Sequence, residues 1–162
     1  MAGSHYLFIL LFVLSLSACT PSIPQKMYRG PQLEPSQEST ITTKSLTGDP
    51  MPGLGISSVD GEMTITILKR WFTGSPAEVK VLPGKHDFRL IYNTGYSIRT
   101  ADLWVVACPG KTYVAKVRQV DVGTEIRMWI EEEESGNRVG GIKGSPDEPK
   151  GKNVSCDRTK NE

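Results

Sequence analysis

Residues 78–92 read EVKVLPGKHDFRLIY, and this stretch decides the class of fold. Val79 and Val81 alternate with Glu78 and Lys80; beyond Pro83-Gly84, Phe88, Leu90 and Tyr92 alternate with Asp87 and Arg89. A period of two belongs to a pleated strand, whose successive side chains point to opposite faces. One face of each run is therefore apolar and one polar, as in antiparallel strands covered on one side only.

The same rhythm spreads outward along the chain. Met63, Ile65 and Ile67 alternate with Thr64 and Thr66, and Ile126, Met128 and Ile130 alternate with Arg127 and Trp129. Turn chemistry separates the runs at Asp60-Gly61, Thr73-Gly74-Ser75-Pro76, Pro83-Gly84, Asn93-Thr94-Gly95, Pro109-Gly110 and Ser135-Gly136-Asn137. Asp60-Gly61 sits between two such runs with the signature of a two-residue hairpin. Residues 102–108, DLWVVAC, are apolar on both faces, as expected of a central strand, with Trp104 in the core and Trp129 on the face opposite Met128. The pattern predicts an all-β domain over 39–142, an antiparallel β-sandwich of seven or eight strands, with a small β-barrel as the alternative.

A chain of 162 residues with 38% hydrophobic content suits one such domain rather than two. Its net charge of +1 offers no broad basic footprint, so no nucleic-acid partner is expected.

The flanks differ in character from the body. Residues 6–16, YLFILLFVLSL, form an apolar run of about 11 residues. As helix it would reach about 16 Å, half of a bilayer's hydrocarbon core, but it matches the apolar region of a signal peptide. From Thr20 to Glu38 the chain is rich in Pro, Ser and Gln, which predicts an extended tether over 19–38. Residues 143–162 form a polar, Pro/Gly-containing tail.

The sequence Leu16-Ser17-Ala18-Cys19 resembles the lipobox of bacterial lipoproteins. That resemblance implies a signal peptide over 1–18, cleavage between Ala18 and Cys19, and a diacylglyceryl thioether on Cys19. Two or three acyl chains, palmitate among them, hold a protein to a bilayer where one does not. A plain secretory signal and an uncleaved anchor are the alternatives. Thr20 after the cysteine implies the outer membrane, with the body facing the periplasm. Cys108 and Cys156 then remain, and an even pair in an oxidising envelope is expected to form one disulfide stapling the tail to the sheet, two free thiols being the alternative.

Val79 through His86, followed by the alternation to Tyr92, resembles the hairpin of PEGA-type, prealbumin-like β-sandwich modules. A wider series resembles a group of small bacterial envelope lipoproteins of unassigned activity. It comprises Tyr28-Arg29-Gly30-Pro31, Val59-Asp60-Gly61, Leu82-Pro83-Gly84-Lys85-His86, Gly110-Lys111-Thr112-Tyr113, Trp129-Ile130-Glu131 and Ser135-Gly136. The group supplies no catalytic residues.

Chemistry is thinly represented. Behind the leader, His86 is the only imidazole, too few for a zinc site with two distant cysteines or for a Ser-His-Asp triad, and Asp87 points to the other strand face. His86 reads as a turn or cross-strand partner. No phosphate-cradling glycine motif accompanies a strand-to-helix transition. Asp60, Glu62, Asp102 and Glu125 are scattered carboxylates, two of which would have to converge for a hydrolase. Glu131 to Glu134 read as a solvated strand end, or as an attractor of a cation or basic partner. Trp71-Phe72, beside Lys69-Arg70, either cover one end of the fold or offer rings to a sugar or protein surface. The expectation is a lipid-anchored, non-enzymatic binding or scaffolding module of the cell envelope, with no metal or cofactor and with an envelope protein or glycan as partner. An inhibitor or secretion accessory, and then a carboxylate-dependent hydrolase, are the alternatives.

Overall fold

The computed structural model describes residues 24–44, 52–64, 75–119, 125–145, 148–149 and 156. Their strands are β1 (Gln25–Lys26), β2 (Ser39–Thr42), β3 (Leu54–Val59), β4 (Glu62–Met63) and β5 (Glu78–Val81), then β6 (Gly84–Asn93), β7 (Ile98–Ala107), β8 (Thr112–Gln119), β9 (Ile126–Glu132) and β10 (Arg138–Gly141). The all-β expectation holds for the described residues. The two-layer antiparallel sandwich of seven or eight strands does not. Ten strands form one sheet in the order β1-β5-β2-β8-β9-β10-β7-β6-β3-β4.

The sheet is mixed, because β1 runs parallel to β5 and β2 parallel to β8. It buries its apolar faces by curling rather than by meeting a second sheet. The curl brings the two sides of a seam together: Ile56 N donates to Pro76 O at 3.1 Å, and the Gln25 amide reaches Thr64 O. Inside the curl lie Ile41, Ile56, Val79, Val81, Leu90, Leu103, Val105 and Ile130, all buried. Each such side chain contributes roughly 1.5–3 kcal/mol by leaving water.

The stretch 78–92 is a surprise in one respect. Its two runs are strands, with Val79, Val81, Phe88 and Leu90 inside as the alternation predicts. Yet β5 and β6 do not pair, so the resembled hairpin is not formed. Leu82-Pro83 instead turn a corner that carries the chain across the seam. Gly84, at φ 142°, starts β6 in a conformation L side chains rarely adopt, and His86 Nε2 lies 2.6 Å from Leu82 O around the bend.

The longest pairing is β6 with β7, in unbroken register from Gly84↔Ala107 to Asn93↔Ile98. Asp60-Gly61 forms the expected two-residue turn between β3 and β4, with φ of 50° and 81°. Met63, expected inside, is 51% exposed because β4 stops two residues beyond the turn at the sheet edge. The region expected as tether carries β1 and buries Glu38 at 2% exposure. At least its second half belongs to the body.

Candidate functional site

Strand β7 alternates Leu103, Val105 and Ala107 inward with Asp102, Trp104 and Val106 outward. Trp104, expected in the core, therefore stands half-buried on the outer face. Trp129 does lie opposite Met128 and Ile130, and the Arg138 guanidinium sits 4.6 Å from its ring centroid.

The described residues of the tail meet the outer face and the end of β7 at two points. Glu148 Oε1 accepts from Trp104 Nε1 at 2.9 Å, while its Oε2 accepts from Gly144 N at 2.6 Å. Cys156 reaches Cys108 at disulfide distance, with Cα atoms 5.3 Å apart. The sheet end of that staple is held rigidly: Cys108 N donates to Tyr113 OH at 2.8 Å, and Ser39 Oγ donates to Cys108 O at 2.7 Å. Sequence reasoning points to the cysteines but not to Glu148, which lies in a stretch with no periodicity to mark it.

Between the tail and the sheet lies a cleft of about 490 Å³ lined by Lys85, Asp87, Asp102, Trp104, Lys143 and Glu148. A second hollow of about 470 Å³ shares Asp87 and Asp102 and extends toward Met63 and Thr100. Together they form a groove across β7, β6 and β3. The Lys85 ammonium is 5.9 Å from the Trp104 ring centroid, within reach of its negative face.

Two of the groove's carboxylates, Asp102 and Glu148, have lowered pKa values. Arg89 grips Asp102 through two bonds, Nε to Oδ1 at 2.7 Å and Nη2 to Oδ2 at 3.0 Å. That guanidinium outweighs the opposing effect of burial and lowers the Asp102 pKa. The Gly144 amide, then the Trp104 indole, lower that of Glu148. The structure does not bring the four scattered carboxylates together. Asp60 binds His86 Nδ1 at 2.6 Å and Asp87 N at 2.9 Å, and Glu125 binds Arg127 Nε at 2.8 Å. His86 thus serves as a cross-strand partner at the β3–β4 turn.

Two further polar clusters stabilise the body. Tyr28 OH donates to Glu38 Oε2 at 2.8 Å and Lys80 Nζ reaches Glu38 Oε1. Burial alone would raise the Glu38 pKa, but the bonds from Lys80 and Tyr28, with the charges of Lys80 and Lys26, lower it. The acidic run is only partly a solvated strand end: Glu132 is 3% exposed and accepts from Ser135 Oγ at 2.5 Å, with Lys111 spanning Glu132 and Glu134.

Among the described residues, no three His, Cys, Asp or Glu are grouped to hold a metal ion, and no helix is long and apolar enough to cross a membrane. Ala18, Cys19, Trp71 and Phe72 lie outside the described residues. Comparison of the chain with protein-family models, with curated proteins and with solved structures finds no match.

Proposed function

We propose that this chain is a lipid-anchored envelope protein, held at Cys19, whose curled sheet acts as a non-enzymatic binding module through the groove beside Trp104. One observation carries the reading: the groove presents an indole beside two carboxylates that are already engaged in hydrogen bonds. Asp102 is committed to Arg89, and Glu148 to Trp104 and Gly144. A general acid in a glycosidase-type pair needs a raised pKa; the shifts at Asp102 and Glu148 run downward, which favours recognition over hydrolysis. Stacking on Trp104 with flanking polar groups suits a glycan or a polar protein segment.

The test has two arms. Intact mass of the native product reads the lipid on Cys19, and a bare sulfur or a retained leader overturns the anchor. Photo-crosslinking from position 85 in the native membrane, with and without Trp104→Ala, reads the groove. Capture that depends on Trp104 supports binding; a stoichiometric enzyme or export component as the captured species selects the inhibitor or accessory reading. Capture unchanged by Trp104→Ala overturns the groove as the site.

A further inference from the structure

We infer that the cleft beside Trp104 receives the carboxylate of an acidic sugar, and that Glu148 occupies it as an internal stand-in; this names the ligand class of the groove proposed above and rests on that reading. The Glu148 carboxylate is held at both oxygens. Oε1 accepts from Trp104 Nε1 at 2.9 Å and Oε2 accepts from Gly144 N at 2.6 Å. Lys85 and Lys143 line the same cleft. Two convergent N–H donors with two ammonium groups nearby are the parts of a carboxylate site. The lowered pKa of Glu148 agrees: the Gly144 amide contributes most, then the Trp104 indole, and the charges of Lys143 and Lys85 help to outweigh burial.

The second outward tryptophan supplies a contrast. Trp104 and Trp129 stand in one cross-strand row with Gly141 between them. Trp129 Nε1 donates to Glu131 Oε1 at 2.6 Å, a partner two residues along the same strand, and the Arg138 guanidinium lies 4.6 Å from its ring centroid. That contact is local to β9. At Trp104 the carboxylate arrives from 44 positions away, beside a cleft of about 490 Å³. Rotating the Glu148 side chain aside leaves Trp104 Nε1, Gly144 N, Lys85 and Lys143 to meet an incoming acid.

The turn that presents Glu148 is easily displaced. Ser145 N donates to Ile142 O and Glu148 N to Ser145 O, each at 3.1 Å, while Ser145 Oγ is buried with no hydrogen-bond partner among the described residues. A buried hydroxyl left unpaired is a standing penalty that rearrangement relieves. Glu148 is itself only half-buried, so its carboxylate regains water as it leaves.

The rest of the cleft fits a pyranose better than a peptide. Asp87 and Asp102 offer carboxylate oxygens to hydroxyl donors, and the Trp104 ring offers a surface to the apolar side of a sugar. An extended peptide gains affinity chiefly by pairing its main chain with a sheet edge. Strand β7 lies between β6 and β10, so the main-chain groups beneath the cleft are already paired in ladders.

N-acetylmuramic acid and N-acetylglucosamine test the inference, since they share one ring and differ by a lactyl carboxylate. Ligand-observed NMR with the native chain at neutral pH is expected to show the acid bound roughly tenfold more tightly. Glu148→Ala removes the stand-in and should tighten the acid severalfold while leaving the neutral sugar unchanged. Trp104→Phe keeps a ring but loses the N–H, and should erase the preference for the acid; Lys85→Ala should reduce it. Equal binding of the two sugars overturns the acid site and leaves the groove standing. Tighter binding of N-acetylalanine than of N-acetylmuramic acid makes the ligand a peptide carboxylate and overturns the sugar. Binding of neither sugar, with crosslinking from position 85 still dependent on Trp104, overturns this inference alone. Crosslinking indifferent to Trp104→Ala overturns the groove and this inference with it.

Discussion

Trp104 and Glu148, 44 positions apart, are joined by one hydrogen bond of 2.9 Å that lays the tail over the outer face of β7. Glu148 is in turn oriented by the Gly144 amide, so the contact is prepared within the tail itself.

Acid should break this contact in a defined direction. The folded-state pKa of Glu148 is depressed below its ordinary 4.5. Its stabilising effect is therefore complete above the unfolded value and is lost as pH falls through the folded one. Tryptophan emission at 25 °C should shift below pH 4.5 in the native chain, and Glu148→Gln should remove that transition. A shift that persists unchanged in the variant contradicts the assignment.

Cutting the staple should loosen the tail without unfolding the sheet. Cys156→Ser is expected to cost about 2–4 kcal/mol by denaturant midpoint, and to increase acrylamide quenching of Trp104. The interior cluster of Ile41, Leu90 and Ile130 does not include tail residues and should stay packed.

Glu38→Ala removes a buried carboxylate shared by Tyr28 and Lys80. Lys80 keeps some access to water, which softens the penalty, so about 1–3 kcal/mol is expected. Glu38→Gln retains an acceptor for Tyr28 and should cost less. Because the Glu38 pKa is lowered, the carboxylate's stabilising effect is present above its unfolded value and lost below the folded one. The stability gap between the native chain and Glu38→Gln, read by urea titration, should therefore close as pH falls through the folded value.

Gly140→Ala should be among the most damaging changes. A Cβ there would meet Trp104 O at 2.2 Å and Ile130 Cδ1 at 3.1 Å, forcing β10 from β7. A loss of about 2–4 kcal/mol by urea titration is expected. Gly136, at φ 65° with nothing near its missing Cβ, should lose less on the same substitution.

Strands β5, β6 and β9 are legible in the sequence because apolar residues mark their inner faces: Val79/Val81, Phe88/Leu90 and Met128/Ile130 all lie inside. Strand β2 is not, since its four residues STIT contain one aliphatic side chain and no alternation to detect. Nor is the curl. Period two says which way side chains point, whereas neighbour order depends on contacts such as Ile56 N to Pro76 O that leave no local pattern. Trp104 is misleading for a related reason: an apolar outer face reads as a second buried face, when what covers it is a polar tail held by Glu148 and Cys156. Among functional residues, the cysteine pair is legible from the parity of the two cysteines that follow Cys19. Lys85, Lys143 and Glu148 are not, since only the folded tail assembles them.

The position of β2 between β5 and β8 sets an order of events during biogenesis. Its neighbours are supplied by residues 78–81 and 112–114, far downstream. A ribosome that has released only the first third of the chain has therefore delivered a strand with nothing to join. Closing the sheet must wait for distant partners, which makes folding slow and leaves the emerging polypeptide open and threadable.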